Sequence, residues 1–134
     1  MNTQEVAAAF IALLKAGQHE EAARQFNADH IVSREAMDGP MARVEGAAAV
    51  KQKSDWWYAN HEVHSAESFG PFVNGNQFAV RFLIDVTAKE NGQRMQMEEI
   101  GLYTVADGKI VEEWNTWEQL KPAAPQAKAD LTPV

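Results

Sequence analysis

Cysteine is absent from the 134 residues. That excludes disulfides, thiolate zinc sites and a cysteine nucleophile, and a cytoplasmic protein fits. Proline is scarce before the end: three of the five prolines fall in residues 121–134, KPAAPQAKADLTPV. No apolar run approaches the roughly 20 residues needed to span a bilayer. The opening MNTQEV has no basic region leading into a long apolar core, so no signal peptide is expected. Basic residues are in deficit, 12 Lys and Arg against 19 Asp and Glu, for a net charge of −7. Such a chain repels phosphate backbones, so neither nucleic acid nor an anionic membrane is an expected partner. No internal repeat occurs, and the length is that of one domain.

What is present reads as helices followed by strands. Asn2 and Glu5 have capping-box spacing, and Val6, Phe10, Leu13 and Leu14 then share one helical face, with Gly17 as the stop. A second short helix is predicted from Gln18 to about Phe26, burying Ala22, Ala23 and Phe26. Residues 28–45 show no clear period and read as a long loop, of the kind that often forms a lid or pocket mouth. A third helix is predicted over Gly46 to Tyr58, with Ala47, Val50 and Trp57 on one face. Trp56, Trp57 and Tyr58 are bulky enough to wall a cavity, although such aromatics more often serve in the core. From His61 the period becomes two, predicting strands at about 61–69, 76–88, 94–105 and 109–117. Helices followed by an antiparallel meander make an α+β pattern. The domain is expected over residues 1–117, and residues 118–134 as an extended or disordered tail rich in proline and alanine.

Two turn signals, Asn91-Gly92 and Asp107-Gly108, decide which carboxylates face inward. A two-residue Asn-Gly turn places Ile84 opposite Glu99 and Phe82 opposite Gly101. Phe78, Val80, Phe82, Ile84, Val86, Met97, Glu99, Gly101 and Tyr103 then share the apolar face, which should pack on the helices. Around Asp107-Gly108 two registers are open. A three-residue bulged loop turns Val111, Glu113, Asn115 and Trp117 inward and sets Asn115 opposite Glu99. A two-residue loop turns Ile110, Glu112, Trp114 and Thr116 inward instead. The bulge is the expected register. Glu99 and Glu113 then point into an apolar interior beside Tyr103 and Asn115, and burial there raises a carboxyl pKa toward neutrality. A solvated position at the sheet rim is the competing reading. The outer face still carries Leu83, Ile100, Leu102, Ile110 and Trp114, too apolar to stay wet, which points to a homodimer through that face.

His61 and His64 lie three apart; on a strand they point to opposite faces and cannot chelate one metal. No metal or organic cofactor is expected. His61 shares parity with Val63 and Phe69 and is a spare general base, although a satisfied structural histidine is the commoner case. Arg81 and Asp85 fall on the outer face, either solvated or paired across the dimer. Neither a phosphate-cradling glycine loop nor a serine-nucleophile elbow occurs.

EEIGLYTVADGKIVEEW and HEVHSAESFGPFVNGNQFAVRFLIDVT resemble the SnoaL-like branch of the nuclear transport factor 2-like superfamily, over about residues 3–117. The resemblance implies N-terminal helices packed on a strongly curved, mainly antiparallel sheet, forming a cone with a central pocket for a small apolar molecule. The superfamily includes ketosteroid isomerases, polyketide cyclases, epoxide hydrolases, dehydratases and non-enzymatic binders, so fold alone does not settle function. In SnoaL cyclases an Asp after the Trp of this stretch transfers protons; here the matching residue is Asn115. Epoxide hydrolases also use an Arg and an Asp on an earlier strand, where this chain has Phe82 and Ile84. Glu99 and Tyr103 would play parts comparable to the base and donor of ketosteroid isomerase. The expected function is cofactor-independent isomerisation, cyclisation or dehydration of an apolar carbonyl compound, with Glu99 or Glu113 as acid or base. Tyr103 and Asn115 would be donors to a developing oxyanion. The alternative is a non-catalytic ligand-binding or dimeric scaffold protein, which Asn115 favours.

Overall fold

The computed structural model describes residues 1–119. Three helices, α1 (Thr3–Lys15), α2 (His19–Phe26) and α3 (Ala47–Asn60), pack on six strands. The strands are β1 (Asn27–Glu35), β2 (Arg43–Glu45), β3 (His61–Asn74), β4 (Gln77–Ala88), β5 (Arg94–Ala106) and β6 (Lys109–Gln119). Their order in the sheet is β2-β1-β6-β5-β4-β3. Beyond Gln119, the expected tail lies outside the described residues.

Helix α1 begins as its sequence dictates. The Asn2 side chain accepts the Glu5 amide at 2.9 Å, and the Glu5 carboxylate accepts the Asn2 amide at 3.0 Å. Its buried face, Val6, Ala7, Phe10 and Ile11, meets the inner sheet face. Phe78 and Tyr103 stack with ring centroids 4.9 Å apart, and Phe10 lies 5.1 Å from Tyr103. This aromatic knot joins α1, β4 and β5 at the centre of the core.

The stretch expected to be a loop holds two strands. β1 escapes a period-two reading because Asp29 and His30 are both exposed between buried Ala28 and Ile31, and its pairing with β6 is irregular between Asn27 and Val32. It runs parallel to β6, so the sheet is mixed rather than a simple meander. A parallel neighbour leaves no hairpin turn in the sequence to announce it.

Both hairpin registers differ from expectation in an instructive way. Four residues, Lys89 to Gly92, separate the bonded pair Ala88 and Gln93, so Ile84 faces Met97 and Phe82 faces Glu99. That is a two-residue shift, which preserves every inward and outward assignment. At the second turn Ala106 pairs with Lys109 around a two-residue loop, and Ile110 is fully buried. An extra residue, Val111, then bulges between the Val105–Ile110 and Thr104–Glu112 pairs. The strand therefore satisfies both sequence registers in turn: Ile110 points inward before the bulge, Glu113 and Asn115 after it. Asn115 sits opposite Gly101, not Glu99, and Ile110 belongs to the core, not to the outer face.

Candidate functional site

Three rows of cross-strand neighbours build the site. Phe78, Tyr103, Glu113 and Ser33 form one row across β4, β5, β6 and β1; Val80, Gly101, Asn115 and Glu35 form the next. Phe82, Glu99 and Trp117 form the third. Neighbours in a row stand roughly 5 Å apart, so one parallel pairing delivers Ser33 and Glu35 to the strand that carries Glu113 and Asn115. Helix α3 lays Lys53 against this edge, three residues past buried Val50.

The polar groups are joined in a chain. Lys53 Nζ lies 2.7 Å from Glu35 Oε1 and donates to Ser33 Oγ at 2.9 Å. Ser33 Oγ donates to Glu113 Oε1 at 2.6 Å. Asn115 Nδ2 reaches Glu35 Oε1 at 3.5 Å, the long limit of such a bond. The Glu35 and Lys53 side chains keep 15% and 16% of their exposure, so solvent reaches the cluster.

Burial dominates the electrostatics. Removal from water pushes the Glu99 carboxyl up to about 8, with Glu35 and Glu113 adding repulsion and Lys53 opposing it. Glu113 is also raised by burial, but the Ser33 hydroxyl and the Lys53 ammonium pull it back. The Tyr103 phenol is driven well above its usual range by burial and by Glu113 and Glu99. A carboxyl group near 8 carries its proton at neutral pH and can exchange it there.

Glu99, Glu113, Tyr103 and Asn115 thus share the inner face, as expected. His61 does not share this bonding: its ring stacks on Trp57 at 4.4 Å, and Nδ1 is 2.8 Å from the Trp57 carbonyl oxygen. It caps the end of α3. His64 is exposed, with Nε2 2.7 Å from Thr87 Oγ1. Arg81 reaches Glu98 at 3.2 Å, and Asp85 is held twice by Arg94, at 3.0 and 2.8 Å. Both pairs close within one chain. Of the expected aromatic wall, Trp56 is solvent-exposed, and Tyr58 stacks on His19 at 4.1 Å.

Sequence reasoning missed Ser33, Glu35 and Lys53. Lys53 carried a usable signal, since it follows Val50 by three on a helix. The other two lay in the aperiodic stretch. Among the described residues no group of three or more potential ligands is close enough to hold a metal ion. A cleft of about 700 Å³ runs between α2 and α3, and a groove of about 180 Å³ crosses the outer ends of β5 and β6; the carboxyl cluster lines neither. No helix of the described residues is long and apolar enough to cross a membrane.

Helices clasping a bent, open sheet make an α+β fold of the nuclear transport factor 2-like kind. Within that class the chain belongs to the SnoaL-like domain family, whose model matches residues 1–116. A solved structure from Mesorhizobium loti, named for a SnoaL-like polyketide cyclase and for a carbohydrate phosphatase, is 54% identical. It superposes with a TM-score of 0.84, covering 86% of this chain and 98% of that one. A protein named as an isomerase from Bacillus subtilis shares the fold at 18% identity, with a TM-score of 0.70 over 88% of this chain and 90% of that one. A Jannaschia protein named for a SnoaL-like polyketide cyclase does so at 14% identity, with a TM-score of 0.70 over 85% and 86%. No curated protein sequence matches.

Proposed function

We propose that the protein is a cofactor-independent acid–base catalyst acting on a small, mostly apolar carbonyl compound, by isomerisation, cyclisation or dehydration. The observation that carries this reading is Glu99. It stands on the apolar inner face between Phe82 and Trp117, with its proton affinity brought near neutrality by burial. Tyr103 and Asn115 are the donors for a carbonyl oxygen that gains charge. The names of the related structures agree with this chemistry without fixing a substrate. The test is solvent-deuterium incorporation α to the carbonyl of cyclohexanone and cyclohexenone, followed by NMR from pH 6 to 9. Wild type should exchange faster than the Glu99→Gln variant, with a profile breaking near the Glu99 pKa. Equal rates throughout would remove Glu99 from the reaction.

The alternative, a ligand-binding or scaffold protein, has Asn115 in its favour, since an amide bound to Glu35 trades no proton. Either reading includes a homodimer through the outer face, where Ile100, Leu102 and Trp114 keep 40%, 36% and 39% of their exposure. Sedimentation of wild type beside Trp114→Asp tests it, because a micromolar monomer in both would end the dimer reading. A cytoplasmic location fits the cysteine-free, acidic sequence.

A further inference from the structure

We propose that Lys53 and Ser33 are positioning residues that split two like carboxyl groups into unlike partners: Glu113, held as the proton acceptor, and Glu99, left as the proton donor. The inference rests on the catalytic reading for its consequence, but not for its geometry.

The two glutamates start alike. Both stand on the inner face of adjacent strands, both are half-buried, and in both the partial loss of water favours the protonated form. They differ in what binds them. Glu113 accepts a 2.6 Å bond from Ser33, which is itself fully buried and receives a 2.9 Å bond from Lys53. With the Lys53 donor occupying one side of the Ser33 oxygen, the serine hydrogen is committed to Glu113. A hydroxyl donated to a carboxylate stabilises the charged form. The lysine cannot drift away, because Glu35 anchors it at 2.7 Å. Glu99 has apolar Phe82 and the indole of Trp117 as its row neighbours, and no hydrogen-bond partner among the described residues. No side-chain donor is bonded to its charged form as Ser33 is to that of Glu113.

The charged and titratable groups around the pair come from three elements. β1 brings Glu35, α3 brings Lys53 and Tyr58, and β5 brings Tyr103. Only Lys53 among them carries positive charge, and it is joined to Glu113 through Ser33. Two titratable groups with affinities pushed apart are the arrangement by which one site performs acid and base steps together. Glu113 would take a proton from carbon as Glu99 delivers one to oxygen or to a second carbon, leaving the net proton count unchanged. That pattern fits isomerisation or loss of water from a hydroxy-carbonyl compound. Ester hydrolysis, which ends with a released acid, fits it less well.

The test reads the two carboxyl groups directly, by carbon-13 NMR titration of Glu99 and Glu113 in the full chain. In wild type Glu113 should titrate below Glu99 by at least about one pH unit, a tenfold difference in proton affinity. Ser33→Ala should raise Glu113 and move Glu99 less. Lys53→Met should raise both, Glu113 the more, so that the gap narrows, and Lys53→Arg should restore much of it. Glu113 titrating at or above Glu99, or failing to move in Ser33→Ala, overturns the inference. Should Lys53→Met not fold, the Ser33→Ala comparison decides alone. A gap that holds in a protein that exchanges no ketone protons would sink the catalytic reading and leave the relay standing.

Discussion

Gly101 and Tyr103 occupy one space. A methyl group on Gly101 would stand 2.7 Å from the Tyr103 hydroxyl oxygen and 2.9 Å from two of its ring carbons. The phenol therefore lies back along β5, over the residue two positions before it, with its hydroxyl in the row that holds Asn115 and Glu35. The glycine is there for room, since its backbone is not left-handed. Phe10 and Phe78 hold the ring from the other side.

Gly101→Ala should accordingly displace the phenol and destabilise the fold by about 1–3 kcal/mol, the usual cost of overfilling a packed interior. Urea denaturation measures it. In a Tyr103→Ala background the same change should cost close to nothing, because the obstructing atoms are gone; an unchanged cost there would place the strain elsewhere.

Stability should fall as pH rises across the Glu99 titration. The carboxyl is near 4.5 when solvated and near 8 in the fold. Between those values the folded chain keeps a proton that the unfolded chain has lost, so each step up in pH favours unfolding, by at most about 1.4 kcal/mol per unit. The loss is complete above about 8. Glu99→Gln should flatten this slope and be more stable than wild type at pH 8.5. Glu113, raised in the same direction, keeps the slope from vanishing. Denaturation midpoints at pH 5, 6.5 and 8.5 decide it.

Lys53→Met should cost about 3 kcal/mol at pH 7, the scale for removing one partner of a largely buried ion pair. It strands Glu35 and takes away the cation that favours the charged form of Glu113. Pairing with Glu35→Gln should recover part of the loss, which thermal unfolding of the double variant reads.

Asn2→Ala should remove the capping box of α1 and cost about 1 kcal/mol. The cap precedes the buried face Val6, Ala7, Phe10 and Ile11, so fraying there should appear as faster amide exchange in the first turn, with the sheet unaffected.

The elements with a clean repeat were legible. α1 announced itself by its cap and its apolar face. β3 to β6 did so by alternation; Glu99 and Tyr103 followed from parity, and Glu113 and Asn115 from parity together with the choice of a bulged register. That parity survived a wrong loop length at Asn91-Gly92, because a shift by two leaves every side chain on its face. The bulge at Val111 was not legible. Either register alone buries apolar residues, and only the packing of Ile110 against the helices together with the seating of Glu113 beside Ser33 requires both.

The sequence by itself determined which residues face inward along β4 and β5, since the chain's local pleat enforces alternation and apolar residues choose the dry side. It could not determine what lies beyond the hairpins. Ser33, Glu35 and Lys53 reach Glu113 through a parallel strand pairing 80 residues apart in the chain and a helix laid over its edge. Neither leaves a local repeat. Burial, and with it the proton affinity of Glu99, belongs to that assembled neighbourhood: a carboxyl group's pKa is set by the water and charge around it, and these exist only once the sheet has closed on its helices.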